Sequence, residues 1–262
     1  MDKTAVDQAD LRAAGARALI ERSVADESVS LAALSALDLC VLGATQQVLF
    51  EELPARAWGG MSERARRRAR QTSFESLVRR RHLMMVADLP GVHGDAYAPS
   101  PPLGIVLAAR SRPSFAVACA IEGSSARTMR MFALGDEAES VQAVVVEIPE
   151  EAPGGPRAGL AKLGPLGWLY HYVLVSKKAA AAILAEWAVQ RVGVHLSSDA
   201  RTPGRSITVL RHDEGRELVG LNILARGDGE RARIERDSGP PLECDVAELT
   251  EMIATIFTLG NQ

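Results

Sequence analysis

Five histidines, three cysteines and one arginine-rich run are the side chains in this 262-residue chain whose types could carry chemistry. An isolated imidazole becomes a base or a ligand only when a carboxylate, nucleophile or second ligand stands at a suitable spacing. His82, His93, His171, His195 and His212 are scattered, and no two share ligand spacing on one predicted element. His93-Gly94-Asp95 and His212-Asp213 set an imidazole beside a carboxylate within turns, without a nucleophile near either. No P-loop, GxGxxG, GxSxG, CxxC or HExxH occurs, so the usual phosphate cradles, nucleophile elbows and metal spacings are missing. These absences argue against the commonest enzyme classes, and no bound metal is expected. Cys40, Cys119 and Cys244 are odd in number, far apart and set in apolar or amphipathic runs, which predicts buried free thiols in a reducing compartment.

Between Glu63 and His82 stand eight arginines against two glutamates, ending in Arg79-Arg80-Arg81. Several cations along one helix can displace counterions from a nucleic-acid backbone. The same run also serves as a solvated helix face beside acidic neighbours, because residues 1 to 62 carry five basic and nine acidic groups. The whole chain has a net charge of −3, which gives no global case for nucleic acid or anionic membrane. A third feature is aromatic. Only 4% of the residues are Phe, Trp or Tyr, yet alternation over Leu166 to Val175 sets Trp168, Tyr170 and Tyr172 on one strand face. Exposed, these three would be interface anchors; buried, they would be core, the commoner fate of large aromatics.

The elements that must position these residues follow from periodicity. At 47% hydrophobic and 24% charged, the chain can build a substantial core without staples. A short helix is predicted over Asp10 to Glu21, with Leu11, Ala14, Ala18 and Leu19 on one face. A long amphipathic helix is predicted over Leu31 to Phe50, then a loop from Pro54 to Met61. A helix capped by Ser62 should place Phe74, Leu77, Val78 and Met84 on one face. An irregular stretch bounded by Gly91 and Pro101-Pro102 precedes a short helix ending at Arg110.

Phe115 to Ile121, Thr128 to Leu134 and Val141 to Ile148 predict three antiparallel strands, and Glu150 to Lys162 an exposed loop or boundary. Leu166 to Val175 predicts a strand, and Lys177 to Arg191 a helix ending at Gly193. Ile207 to His212 and Glu217 to Ala225 flank the turn Asp213-Glu214-Gly215, and Ala232 to Arg236 follows as another strand. Asp245 caps a last helix carrying Leu249, Ile253 and Ile256. The sum is an α+β fold, antiparallel sheet flanked by helices, read as a single domain over 1–262 with a division into halves near 150–165 as the alternative. The acidic N-terminal stretch and the lack of a run of about eighteen apolar residues predict a cytoplasmic protein without membrane contact.

The order of motifs resembles the EspG family of type VII (ESX) secretion-associated chaperones. The helix predicted from Leu31, then Glu52-Leu53-Pro54, Ser62-Glu63-Arg64-Ala65 and Phe74-Glu75-Ser76-Leu77-Val78-Arg79-Arg80 are similar to that family's first half. Pro203-Gly204-Arg205-Ser206-Ile207-Thr208-Val209 and Asp245-Val246-Ala247-Glu248-Leu249 are similar to its second. Where the family has glycine after the arginine of its first motif, this chain has Arg81 and His82. The resemblance implies two pseudo-related halves around an antiparallel sheet. It implies also a non-enzymatic chaperone that binds helical PE/PPE- or WXG100-like substrates without a cofactor. The alternative is a winged-helix-like nucleic-acid-binding regulator that uses the arginine-rich helix 63–82.

Overall fold

The computed structural model describes residues 3–25, 28–43, 49–86, 96–134, 143–150, 161–192, 203–213, 216–235 and 240–258. The fold is α+β, as the sequence predicts. Seven α-helices flank a large antiparallel sheet of nine strands, with a separate two-stranded sheet, among the described residues. The chain forms two compact units, each from two stretches: 1–112 with 149–174, and 113–148 with 175–262.

In the first unit, α1 (Lys3–Val24) is longer than its apolar pattern suggests. Its docked stripe is Arg12, Gly15, Ala16, Leu19, Ile20 and Ser23, while Leu11, Ala14 and Ala18 face outward. Gly15 permits this seating, since a Cβ there would lie 3.0 Å from Cγ of Pro101 at the start of α5 (Pro101–Ser111).

The long helix expected over Leu31 to Phe50 is not formed. Val29–Ser35 is instead a strand, β1, and Ala36–Val41 a short helix, α2; residues 44–48 lie outside the described residues. Ser35 makes the break. Its Oγ accepts from the Asp38 amide (3.1 Å) while Asp38 Oδ2 accepts from the Ser35 amide (3.0 Å), a capping box that starts the helix there. The leucines and alanines before it favour a helix locally, but β1 pairs antiparallel with β7 (Leu169–Ser176), from Val29↔Leu174 to Ser35↔Leu169. Tertiary pairing overrides propensity.

Helix α3 (Glu52–Gly59) occupies the expected loop, because Pro54 sits in its first turn, where a missing N–H costs nothing. Ser62 caps α4 (Glu63–Arg79), as predicted, by accepting from the Ala65 amide. Asp38 then fastens α4 to β1 and α2. It accepts from Ser73 Oγ (2.6 Å) and Arg80 Nη2 (2.8 Å), while Arg80 Nη1 donates to the Ala33 carbonyl (2.7 Å). Met84 is not on that helix. It belongs to β2 (Leu83–Val86), which pairs with β3 (Ala96–Pro99) inside the stretch expected to be irregular. Phe74 meets Tyr97 edge-on at 4.9 Å, pinning α4 to this hairpin.

The second unit holds β4 (Phe115–Ile121), β5 (Arg130–Leu134), β6 (Ala143–Pro149), β8 (Arg205–Asp213), β9 (Arg216–Gly227), β10 (Arg231–Glu235) and β11 (Leu242–Asp245). They run side by side in the order β6-β5-β4-β8-β9-β10-β11. Helix α6 (Lys177–Val189) is capped by Ser176 and ends before Gly193, which lies outside the described residues. Asp245 and Glu248 form a capping box that starts α7 (Val246–Thr258), where predicted. Leu249, Ile253 and Phe257 are buried, each worth about 1.5–3 kcal/mol relative to exposure. Phe257 stacks on Phe115 of β4 at 4.5 Å. Gly227 of β9 lies so close to the end of α6 that a Cβ would stand 2.1 Å from the Val189 carbonyl oxygen.

Candidate protein-docking surface

The aromatic strand does not supply a surface. Tyr170 and Tyr172 are buried in β7, at 2% and 0% exposure, and Trp168 is half-buried in the turn that precedes the strand. The Tyr170 hydroxyl donates to Glu51, and Tyr172 accepts from Nη1 of Arg110 (3.4 Å), a fully buried arginine of α5 that also lies 5.9 Å from the Phe50 ring centre. Of the two fates open to these aromatics, core packing is the one the fold gives the tyrosines: β1 covers one side of their strand, and their hydroxyls are held by Glu51 and Arg110. The anchor role assigned to Trp168, Tyr170 and Tyr172 is therefore corrected for the two tyrosines.

The titratable candidates are held apart. His82 is half-buried beside Arg80, and its pKa is lowered by burial and by that cation, with Asp38 opposing. His171 is exposed and stands 3.3 Å from Glu150. His93 and His195 lie outside the described residues, as does the side chain of His212. All three cysteines are buried, and burial pushes the Cys40 and Cys119 thiols up to about 12, so both are protonated near neutral pH and poor nucleophiles. In the second unit, Glu122 accepts from the Gly204 amide (2.7 Å) and from Arg226 (2.9 Å), which also binds Glu235 (2.8 Å). The Gly204 bond first, then Arg226, holds the Glu122 carboxyl below its usual range. This ion-pair cluster joins the residue that follows β4 to β9 and β10. Among the described residues no group of three potential ligands could hold a metal, and no helix is long and apolar enough to cross a membrane.

The arginine run divides by role. Arg66 and Arg70 lie over the Trp58 ring, 5.6 and 5.7 Å from its centre, and pair with Glu63. Arg80 is tied to Asp38. Arg64, Arg67, Arg68, Arg79 and Arg81 are exposed and form no ion pair among the described residues. The first three share one outward face of α4.

Among the described residues of the first unit, a groove of about 250 Å³ lies between α1, β2 and the start of α5, lined by Leu11, Arg12, Met84, Met85 and Pro101. Its apolar members are far from buried: Leu11 is 70% exposed, Met85 63% and Met84 38%. Single exposed apolar residues are ordinary, but three converging on a concavity are not. Methionine is unbranched and polarizable, so adjacent Met84 and Met85 suit a surface that must fit another apolar chain. Sequence periodicity missed this site, because it assigned Leu11 to a core face and Met84 to a helix. The signal present was the Met84-Met85 pair, since a two-stranded hairpin covers few of its side chains. Compared with protein-family models, curated proteins and solved structures, the chain matches none.

Proposed function

We propose that the chain is a non-enzymatic, cytoplasmic binding protein of the chaperone type, which shields the apolar surface of a helical partner. The partner class is a PE/PPE- or WXG100-like substrate of a type VII secretion system. The observation that carries the binding reading is the exposed groove of Leu11, Met84 and Met85. Such a groove loses water on contact with an apolar helix face and requires neither nucleotide nor metal. Support for the partner class comes from the EspG-like order that survives in the fold: Leu53-Pro54 in α3, the Ser62-capped α4, the run leading into β8 and the Asp245-capped α7. The helix once expected over Leu31 to Phe50 no longer contributes to it.

Co-expression with a helical protein encoded beside its gene should yield a heteromeric complex on size exclusion, formed in EDTA and without nucleotide. Met85→Lys should weaken that complex by at least about 2 kcal/mol while leaving the fold intact. A protein that stays monomeric with every such partner and turns over a small molecule would refute the proposal. The second reading, a nucleic-acid-binding regulator, rests on the exposed stripe Arg64, Arg67 and Arg68. Duplex DNA binding at about 0.15 M salt, with a steep salt slope flattened by glutamine at those three positions, would favour it.

A further inference from the structure

With 22 residues α1 is the longest described helix, yet its seat on α5 and β1 is shallow. Over residues 10–24 the one buried side chain is Ser23, and its hydroxyl donates to the Ile20 carbonyl of the same helix (2.7 Å) rather than to the seat. The apolar side chains stay nearer the surface: Leu19 and Ile20 are half-buried, Leu11 and Val24 exposed. The α5 helix beneath, by contrast, buries Leu103, Ile105, Val106 and Ala109. A helix that buries so little apolar surface opens at the low end of a protein's local stabilities.

The seat and the docking groove share a wall. Pro101 lines the groove and also lies against Gly15, where a Cβ would stand 3.0 Å from the Pro101 Cγ and 3.4 Å from its Cβ. Leu11 and Arg12 of α1 complete the lining beside Met84 and Met85. Moving α1 off Pro101 therefore joins the groove to the surface under the helix as one longer channel. Such a movement costs packing but not the helix itself, because α1 is long and rich in alanine, arginine and leucine, all strong helix formers.

We infer that α1 is a displaceable cover: a partner helix enters at the groove of Leu11, Met84 and Met85 and is seated fully only when α1 moves off Pro101. The occupant carries the pattern that α1 itself docks, Gly or Ala against Pro101 with Leu-Ile one turn on, because the clearance at Gly15 admits at most a small side chain. The inference rests on the docking reading given above and adds a gate and the occupant's stripe.

The first arm of the test places a thiol under the cover in the full chain with Ser23→Cys. Maleimide labelling, located by mass spectrometry in native buffer, should run at least about tenfold faster there than at the buried native Cys40, Cys119 and Cys244. Adding Gly15→Cys and Pro101→Cys supplies a lock, since the two β-carbons lie 3.4 Å apart, close to the lower end of the disulfide range of about 3.5–4.5 Å. Oxidising the lock should slow Ser23→Cys labelling to the rate of the native cysteines, and reduction should restore it.

The second arm follows a fluorescent peptide of residues 3–24 by anisotropy. It should bind a chain carrying Gly15→Leu, whose own α1 fits poorly, about tenfold tighter than the unaltered chain, and bind the oxidised lock weakest. The same peptide with Gly15→Leu should bind none of them. Labelling of Ser23→Cys no faster than the native cysteines, or unaffected by the lock, overturns the cover. Equal peptide affinity for locked and open chains overturns the gate and leaves apolar docking standing. The labelling arm needs no partner and so fails separately from the docking reading, which falls with a complex indifferent to Met85→Lys.

Discussion

Three residues, Cys40 and His82 in the first unit and Cys119 in the second, show how environment decides what a side chain does. Cys40 is a nucleophile by type but a protonated core residue by placement, because burial lifts its thiol to about 12. Cys119 is the same in the second unit. Neither should react with maleimide at pH 7.5 in the native protein, and both should react once the chain is unfolded in guanidinium; rapid native labelling would show that the packing around them opens. His82 has a pKa below the ordinary histidine value, from burial and from Arg80. The unfolded chain then binds a proton that the folded chain refuses, so stability present at pH 7 is lost as pH falls through the ordinary value near 6.5 toward the folded one. Urea midpoints should drop between pH 7 and 5.5, and His82→Gln should flatten that drop. An unchanged pH slope in the variant would remove His82 from the account.

At the scale of elements, Asp38 closes the contacts among β1, α2 and α4. It is the N3 residue of the α2 capping box and the acceptor for Ser73 and Arg80. Ser35→Ala removes one cap and should cost about 1 kcal/mol. Asp38→Ala strands the Arg80 guanidinium and the Ser73 hydroxyl as well, so a loss of about 3 kcal/mol is expected in denaturant titrations. Losses of equal size from the two variants would mean that the long-range contacts contribute nothing. Gly227 tests the joint between β9 and α6. A methyl group there meets the Val189 carbonyl at 2.1 Å, so Gly227→Ala should destabilise by about 3 kcal/mol or prevent soluble expression.

Across the whole molecule, the buried tyrosines and the exposed groove make opposite predictions. Tyr172→Ala should cost about 3–5 kcal/mol of folding stability through the cavity it leaves, with any loss of partner binding following from unfolding. Leu11→Ser should do the reverse, weakening a partner complex while the melting temperature stays within the small range of surface substitutions. Calorimetry on each variant beside complex formation separates the two. A Tyr172→Ala protein that remains fully stable, yet loses its partner, would return the binding role to the aromatic strand.

Local signals in the sequence determined the features that depend on neighbours within a few residues. Ser62 and Asp245 announce α4 and α7 because a cap bonds to an amide two or three positions on. The short apolar runs of β4 and β5, buried on both faces, and the alternating runs of β8 and β9 announce strands by their length and period. The α+β class follows from their succession. Tertiary structure alone decided the rest. The leucines and alanines of Val29–Ser35 read as helix until β7 offers a pairing partner far along the chain, and Ser35 is visible as a cap only once that strand ends. Met84 reads as the next turn of α4 until the turn at Arg81 leads the chain into β2. Tyr170 takes the inner of the two places open to it and Leu11 lies outside, because apolar periodicity tells which residues share a face but not which face the remainder of the chain will cover.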